Sequence, residues 1–568
     1  MKSFVHMALT VLIGLVLTGC SGTNVTDFIE DQFTTYEFPP LEEPSSLYTR
    51  EDPYDLDTVY ITVFPLPKGR ENPYDFSDVN NDIDWRDDQV LELDVLFQEG
   101  DAAGPKAGYF GFGLTDANGS IRLRGHSTRA FNQKSYRIDL KNRVGTWQGF
   151  KEINLNKHPA DGTRFRNKLS FDLLSELPGI PSVRTKFLHV YIKDLSALDP
   201  AGEDFEAEFV DYGLFTHVES VDRDWLTSRE LDDSGALYKA ENYFFQDSNR
   251  LLVKSDPDYD KAAFERIAEI NGRGDHSTFI DMNNDVNNYL IDIRKVAESN
   301  FQLDNYLTWL AVNILMDNRD TNTQNFHLYS PKNIEAYYFI PWDYDGAWDF
   351  YNQIDKRPNP VPSWRLGLSN YWSVTLHSRF FREPEHIRLL NEKIVEVYDQ
   401  LKAMDINGRI DRYAELVYPF VSRSPDLEEL PGTLAQHQQE VQRLKSILDL
   451  NLRRYYDSIE NPMPVFLGDV QLLGDYTLFT WDRSYDFQGD RLLYTLELSR
   501  TPDFETIDII ESTRFNEFSI RSLEDGVWYW RVTVDDGKGH VQIAMDEYLD
   551  EVGKEYYGIG RFEQKPDN

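Results

Sequence analysis

The sequence predicts an α+β protein of two lobes, the first mainly strands and the second mainly helices, with an all-β module after them. Three observations carry that reading. Between about Thr58 and Phe245, short apolar runs alternate with polar positions, and one helical segment interrupts them. From Phe264 the apolar residues recur every three or four positions, as they do on helices. From Val465 the pattern returns to short strands with turn residues between them. With 568 residues, 40% of them hydrophobic, the chain is long enough for two to four domains and at least one large core. Its formal net charge of −39 argues against nonspecific binding to nucleic acid or anionic lipid. Any bound phosphate therefore needs local arginine, lysine or a metal ion.

Residues 1–19 read as a secretory leader. Lys2 precedes an apolar run from Met7 to Leu17, and Leu17-Thr18-Gly19-Cys20 places small residues before a cleavage point. This approach to a cysteine resembles the bacterial lipobox, which implies removal of the leader and lipidation of Cys20. Cys20 is the single cysteine of the chain, which excludes disulfides and thiol catalysis. The expected place is the bacterial cell envelope, with the lipid on Cys20 as the membrane contact. Ser21 after the cysteine favours the outer membrane if the cell is Gram-negative. Residues 20–55 are polar, acidic and proline-bearing without periodicity, and read as a flexible tether.

Globular sequence begins near Thr58. TVYITVFP and QVLELDVLF read as strands, and the acidic loop between them lacks the twelve-residue EF-hand spacing and reads as solvated. Ser120 to Asn142 reads as a hairpin: Ile121 and Leu123 alternate with Arg122 and Arg124, Gly125-His126-Ser127-Thr128 turns, and Tyr136 to Leu140 alternates again. A small-residue turn holding Ser127 and flanked by Arg124, Arg129 and Lys134 can offer backbone N–H groups and cations to phosphate oxygens. Thr163 to Gly179 reads as a helix stopped by Pro178-Gly179. FLHVYIKD, EFVDYGLFTHVES and ALYKAENYFF follow as strands, the last carrying Lys239.

In the second half, Tyr289, Leu290, Ile293 and Val296 mark one amphipathic helix, and Leu303, Tyr306, Leu307, Leu310 and Ile314 a second. The second leads into the polar loop Asp317-Asn318-Arg319-Asp320, with Asn325 five residues beyond Asp320. Another apolar run, Tyr337 to Trp342, delivers Asp343 and Asp345. Acidic clusters at the ends of buried elements are costly unless something pairs with them, and a divalent cation bridging a polyphosphate is one such partner. Two long amphipathic helices follow, and Asn461-Pro462-Met463-Pro464 reads as a linker. Residues 465–557 resemble a fibronectin type III domain, with an early Trp481 and the strand Gly526 to Val532 before an Asp-Gly turn. Such a module spaces domains or contacts polysaccharide or protein. Residues 558–568 are read as a tail.

Phosphoryl transfer requires a loop and a cation to hold the phosphates, Mg2+ to bridge them, and a carboxylate to orient the attacking hydroxyl. Asp320 and Asn325 have the Asp-x-x-x-x-Asn spacing of a kinase catalytic loop, and Asp343 arrives later from a strand end. With RLRGHST, KSYRIDL, YGLFTHVESVDRDWL, LYKA, MDNRDTNTQNFHLYS and IPWDYDGAWDF in that order, residues 56–460 resemble the spore coat protein H (CotH) kinase family. The resemblance implies an atypical two-lobed protein-kinase-like fold. It implies use of ATP with Mg2+, or Mn2+ in its place, to phosphorylate Ser or Thr hydroxyls of exported proteins. It also implies that Asp320 is the catalytic Asp, that Lys134 contacts the nucleotide phosphates, and that Asn325 and Asp343 hold the metal. His126 stands where the family's hairpin more often has Asn.

Several assignments stay open at this point. Arg124 binds phosphate or pairs with an acid. Asp345 joins Asp343 on the metal or caps the next turn. Asp317 competes with Asp320 as base, although the spacing to Asn325 favours Asp320 and leaves Asp317 as a partner of Arg319. Asp172, Glu176 and Glu219 are the candidate partners of Lys134. The rival readings are a surface adhesion protein using the same domain as a scaffold, and an enzyme that transfers AMP instead of phosphate.

Overall fold

The computed structural model describes residues 38–48, 52–69, 71–84, 90–197, 207–354, 361–521 and 523–564. The expected leader, Cys20 and the first part of the tether lie outside the described residues. Among those residues, no helix is long and apolar enough to cross a membrane.

The first strands are β1 (Leu56–Val63), β2 (Glu92–Asp101), β3 (Gly104–Pro105), β4 (Gly119–Leu123), β5 (Tyr136–Leu140), β6 (Glu152–Asn156), β7 (Thr185–Asp194) and β8 (Val210–Val218). They form one sheet in the order β1-β7-β8-β6-β5-β4-β2-β3, and β1 also pairs with β2, so the sheet closes on itself. Closure removes the open edges that a sheet otherwise has to protect. β1 and β7 run parallel; the other neighbours are antiparallel. The alternation seen in the sequence is the alternation of burial: on β5, Tyr136, Ile138 and Leu140 are buried and Arg137 and Asp139 are not. Ile138 meets Ile121 across the β4–β5 pair, and with Val59, Val95, Ile153 and Val190 they fill the barrel.

A larger core holds the middle of the chain. β9 (Ala236–Ala240), β10 (Ala268–Ile270), β11 (Phe326–Ser330) and β12 (Tyr338–Pro341) form an antiparallel sheet in the order β10-β9-β11-β12. The helix Leu303–Met316 packs against β12 and against the helices Pro384–Ala403 and Ile447–Glu460. It was expected to be amphipathic, yet twelve of its fourteen residues are buried. Its polar groups are accommodated by specific partners. The Asn305 amide donates to the Phe339 carbonyl and accepts from the Phe339 N–H at 3.1 and 2.7 Å, which ties the helix to β12. The preceding helix is shorter than the pattern predicts. It begins at Ile293, and Tyr289 and Leu290 lie exposed on the turn before it.

Two boundaries differ from expectation. Residues 38–48, assigned to the tether, are docked on the domain. Leu41 enters the large core, Glu43 pairs with the buried Arg229, and the Tyr338 hydroxyl donates to the Pro39 carbonyl at 2.7 Å. A buried guanidinium needs a carboxylate, and Glu43 supplies one that composition does not reveal. At the other end, the expected tail contains a strand that completes the last unit.

That unit contains β13 (Gln471–Leu473), β14 (Tyr476–Thr480), β15 (Leu493–Ser499), β16 (Ile509–Thr513), β17 (Glu517–Arg521), β18 (Gly526–Asp535), β19 (Val541–Ile543), β20 (Glu547–Leu549), β21 (Glu555–Tyr557) and β22 (Ile559–Gln564). One sheet has the order β13-β14-β17, a second β16-β15-β18-β19 with β22 also on β18, and β20 and β21 pair separately. Phe479 and Trp481 from the first side pack with Leu496, Trp530 and Val532 from the second.

Glu219, at the end of β8, is held by Arg184 and Arg229 at 2.6 and 2.8 Å. Burial alone would raise its carboxyl, but the two guanidiniums outweigh it and hold the group down at about 2. A lowered carboxyl stabilises the fold fully above its unfolded value and loses that stabilisation as pH falls towards its folded value, here a contribution of about 3 kcal/mol. Glu219→Gln resembles the protonated acid. Its stability deficit in urea denaturation is therefore expected to be largest near neutral pH and to shrink steadily below about pH 4.5. A deficit independent of pH would show that Glu219 is not held as described.

Candidate active site

Four segments converge on one cleft of about 450 Å³: the β4–β5 turn, β9, the loop after the Leu303–Met316 helix and the loop after β12. The turn contributes Arg124 to Thr128, β9 and the residues after it Lys239 and Glu241, and the two loops Asp320, Asn325, Asp343 and Asp345. His158, Asn156 and Trp342 complete the walls. A second depression of about 460 Å³ shares Arg124, Gly125, His126, Lys239 and Trp342 with the first.

The loop geometry follows from buried partners. The Leu303–Met316 helix ends with Asp317 in the left-handed region at φ 53°, a conformation that Asp and Asn tolerate better than most residues. Arg319 donates twice to Asp317, at 2.9 and 2.7 Å, and once to Asp349, at 2.9 Å. Asn318 Nδ2 donates to the Asp343 carbonyl at 3.1 Å, and the Tyr344 N–H donates to Asn167 at 3.0 Å. Asn325 and Asp343 also have positive φ, 61° and 54°. Trp348, at φ 58°, is a bulkier residue in that region; its N–H donates to the Met316 carbonyl at 2.6 Å and its indole to Ser170 at 2.9 Å. Strained backbone held by several contacts is characteristic of functional loops.

The electrostatics divide the acids into two groups. Asp317 and Asp349 are saturated by arginines: Asp349 also accepts from Arg443 at 2.6 Å and Arg454 at 2.9 Å. Asp320, Asp343 and Asp345 face the cleft with fewer cations. Burial raises the Asp320 carboxyl, and the Tyr351 hydroxyl, which donates to its Oδ1 at 2.6 Å, works against that rise. Burial pushes Asp343 up to about 7 and neighbouring Asp345 adds to the push, while Arg124, His158 and Lys239 pull the other way. His158 Nδ1 lies 3.5 Å from Asp345. Such an all-oxygen set, carrying a carboxyl displaced by its own neighbour, fits a hard divalent cation.

Residues 121–455 match the family model described as CotH kinase protein, more than half of the chain. The chain belongs to the CotH kinase protein family. It is also 26% identical over 339 residues to the inner spore coat protein H of Bacillus subtilis (strain 168), a match covering 54% of this chain and 86% of that protein. The CotH region starts within β4, ends in the Ile447–Glu460 helix and contains every cleft residue named above.

Within the CotH domain, Arg124, Ser127, Asp320, Asn325, Asp343 and Asp345 all line the cleft. Arg124 donates to Asn156 and sits 6.0 Å from the Trp342 ring. Lys134 does not line it. Its ammonium donates to the Arg129 carbonyl at 2.6 Å, which closes the turn on itself. None of its three candidate acids reaches it: Asp172 pairs with Lys168, Glu176 with Arg409, and Glu219 with Arg184 and Arg229. The lysine in the cleft is Lys239 on β9, paired with Glu241 and 3.8 Å from Glu269. The LYKA strand was the available signal for it. Tyr351, His158 and Asn167 were not foreseen, because each sits in irregular backbone or on a helix whose periodicity concerns only its apolar face.

The ion pairs predict a sharp contrast within one loop. Arg319→Ala leaves Asp317 buried without its bidentate partner and is expected to cost about 3–5 kcal/mol in denaturant unfolding. Asp320→Asn, which can still accept from Tyr351, is expected to cost about 1 kcal/mol or less. Equal costs would contradict the division into structural and cleft-facing acids.

Proposed function

We propose that the CotH domain transfers the γ-phosphate of ATP, with Mg2+, to Ser or Thr hydroxyls of exported proteins, and that the chain is held at the bacterial envelope by a lipid on Cys20. The observation that carries the reading is the convergence of Asp320, Asn325, Asp343 and Asp345 with Arg124 and Lys239 on one cleft. Phosphoryl transfer depends mainly on positioning and charge stabilisation, and this set offers both. Asn325, Asp343 and Asp345 would hold the metal, which would supply positive charge to offset that of the phosphates. Arg124 and the backbone N–H groups of the Gly125–Thr128 turn face the phosphates. Lys239 takes the phosphate-binding role first assigned to Lys134. Asp320, with Oδ1 engaged by Tyr351, presents its other oxygen to the acceptor hydroxyl and receives its proton.

The C-terminal unit is read as fibronectin type III-like, supported by its three-strand and five-strand sheets and the shared core around Trp530.

Incubation of the protein with Mg2+, γ-labelled ATP and a Ser/Thr-rich acceptor is expected to label the acceptor. Asp320→Asn should lower the rate by about 10²–10⁴-fold while nucleotide still binds. Asp343→Ala should abolish Mg2+-dependent nucleotide binding measured by calorimetry. If the unaltered protein binds no nucleotide in the presence of Mg2+ or Mn2+, the proposal fails.

Exchanging the two lysines tests the site more closely. Lys239→Met is expected to raise the KM for ATP at least about tenfold, the loss of one charge-assisted contact. Lys134→Met is expected to leave that KM within about twofold, because its ammonium serves the turn. The reverse ranking would return Lys134 to the cleft.

A further inference from the structure

We propose that Asp486, Asp490 and Asp536, in the C-terminal β unit, form a calcium site that fastens this unit to the helical part of the CotH domain. The inference does not depend on the kinase reading. Asp486 and Asp490 lie on the loop between β14 and β15, and Asp536 on the loop between β18 and β19. A carboxylate oxygen of each lies within 4.8 Å of the others.

A cluster of acids on a surface is common and carries no site by itself. Here Asp486 is only 9% exposed, and its Oδ2 is buried with no hydrogen-bond partner among the described residues. Its Oδ1 accepts the Asp490 N–H at 2.7 Å, so the carboxylate is pinned while its second oxygen is left without a donor. An unpartnered buried carboxylate oxygen costs more than a neutral one, and two further carboxylates beside it add repulsion. A cation at that point removes both costs.

Asp536 is as firmly placed, 6% exposed, with Oδ1 accepting the N–H groups of Lys538 and His540 at 2.7 and 3.2 Å. Lys538 Nζ reaches Asp490 at 2.6 Å and His540 Nδ1 reaches Asp536 at 2.6 Å. Both are on solvent-facing side chains, 57% and 38% exposed, that can withdraw. They balance the acids in part when no ion is bound. The donors are all oxygen, which selects a hard cation. Three carboxylates drawn from two loops, completed by carbonyls and water, suit the irregular six-to-eight coordination of calcium better than the strict octahedron of magnesium.

The loop that carries Asp486 also makes the junction. Tyr485 stacks on Trp372 at 5.8 Å, and Phe487 meets the same ring edge-on at 6.4 Å. Met463 donates to the Tyr485 carbonyl at 2.7 Å, and Gln488 to the Ile459 carbonyl at 3.2 Å. An ion that fixes Asp486 and Asp490 therefore fixes the side chains that dock on the helical part.

The full chain, stripped with a chelator, is to be titrated with CaCl2 and separately with MgCl2 by calorimetry and by thermal unfolding. The expected result is a calcium Kd of about 0.1–1 mM, as in extracellular modules, with a rise in Tm of several degrees at saturating ion. Asp486→Asn with Asp536→Asn should remove this site and its Tm shift. Lys538→Ala, which removes a competitor without touching a ligand, should tighten calcium binding about fivefold. That gain cannot arise from misfolding. Because the cleft is proposed to take a metal as well, both titrations are repeated on Asp343→Ala, which is expected to keep the calcium site and to respond more weakly to magnesium. Absence of calcium binding, a response of Asp343→Ala to magnesium equal to its response to calcium, unchanged binding in the double variant, or loss of the site in Asp343→Ala would each overturn the proposal.

Discussion

Asp349 is 2% exposed and receives three guanidiniums, those of Arg319, Arg443 and Arg454. From it a chain of alternating charges runs in both directions. Arg319 continues to Asp317, and Arg443 continues to Glu440, Arg166 and Asp161. The four acids and four arginines of this chain balance. Isolated burial of any one of them would cost several kcal/mol, so each holds its neighbour in place. The chain joins the loop after the Leu303–Met316 helix, the loop after β12, the Leu434–Leu444 helix and the start of the Arg166–Leu174 helix. Those are the segments that position the cleft. Asp320 lies one residue from Arg319, and Asp343 is tied through its carbonyl to Asn318, next to Asp317. Neither cleft-facing acid can shift without disturbing a balanced buried network.

The same network explains why the cleft can remain out of balance. Asp343 and Asp345 repel each other, and Asp320 is half-buried with one hydroxyl as its main support. Such an arrangement would relax if its loops were free, by turning the carboxylates to water. The arginine chain denies it that freedom, as do the helix and strand contacts of Asn167 and Asn305. Strained φ values at Asn325, Asp343 and Trp348 are the backbone counterpart of this constraint. The cleft is thus held with its acids out of balance, as the ligand proposed for it requires.

What the sequence made legible, it did through periodicity and spacing. The alternation on β4 and β5, the Asp320–Asn325 interval and the delivery of Asp343 by an apolar run all correspond to positions in the structure. The separation of Asp317 from Asp320 was legible for a local reason, since Asp317 and Arg319 are two residues apart and pair directly. Lys134 was misplaced because a residue in a turn has no periodicity to say where its side chain points; there a carbonyl five residues back captured it. The closing of the barrel was not legible either. It rests on the parallel pairing of β1 with β7, whose partners are about 130 residues apart, such as Val59 with Val190. Glu43 likewise finds Arg229 only in three dimensions.

The C-terminal unit shows how much a composition-based boundary conceals. A proline-bearing linker at residues 461–464 suggests a module free to swing, but the structure contains several independent ties across it. Ser363 donates to Gln542 at 2.5 Å, Arg365 pairs with Glu547 and packs on Tyr557, and Trp372 receives Tyr485 and Phe487. Trp372 follows Asn370 and Tyr371, and those two residues hydrogen-bond the Arg319 carbonyl and the Thr321 hydroxyl. The interface therefore begins one residue from the segment that supports the Asp320 loop. A unit attached there is in a position to stabilise the cleft mechanically, since any motion that peels it away must first loosen the aromatic contacts at Trp372.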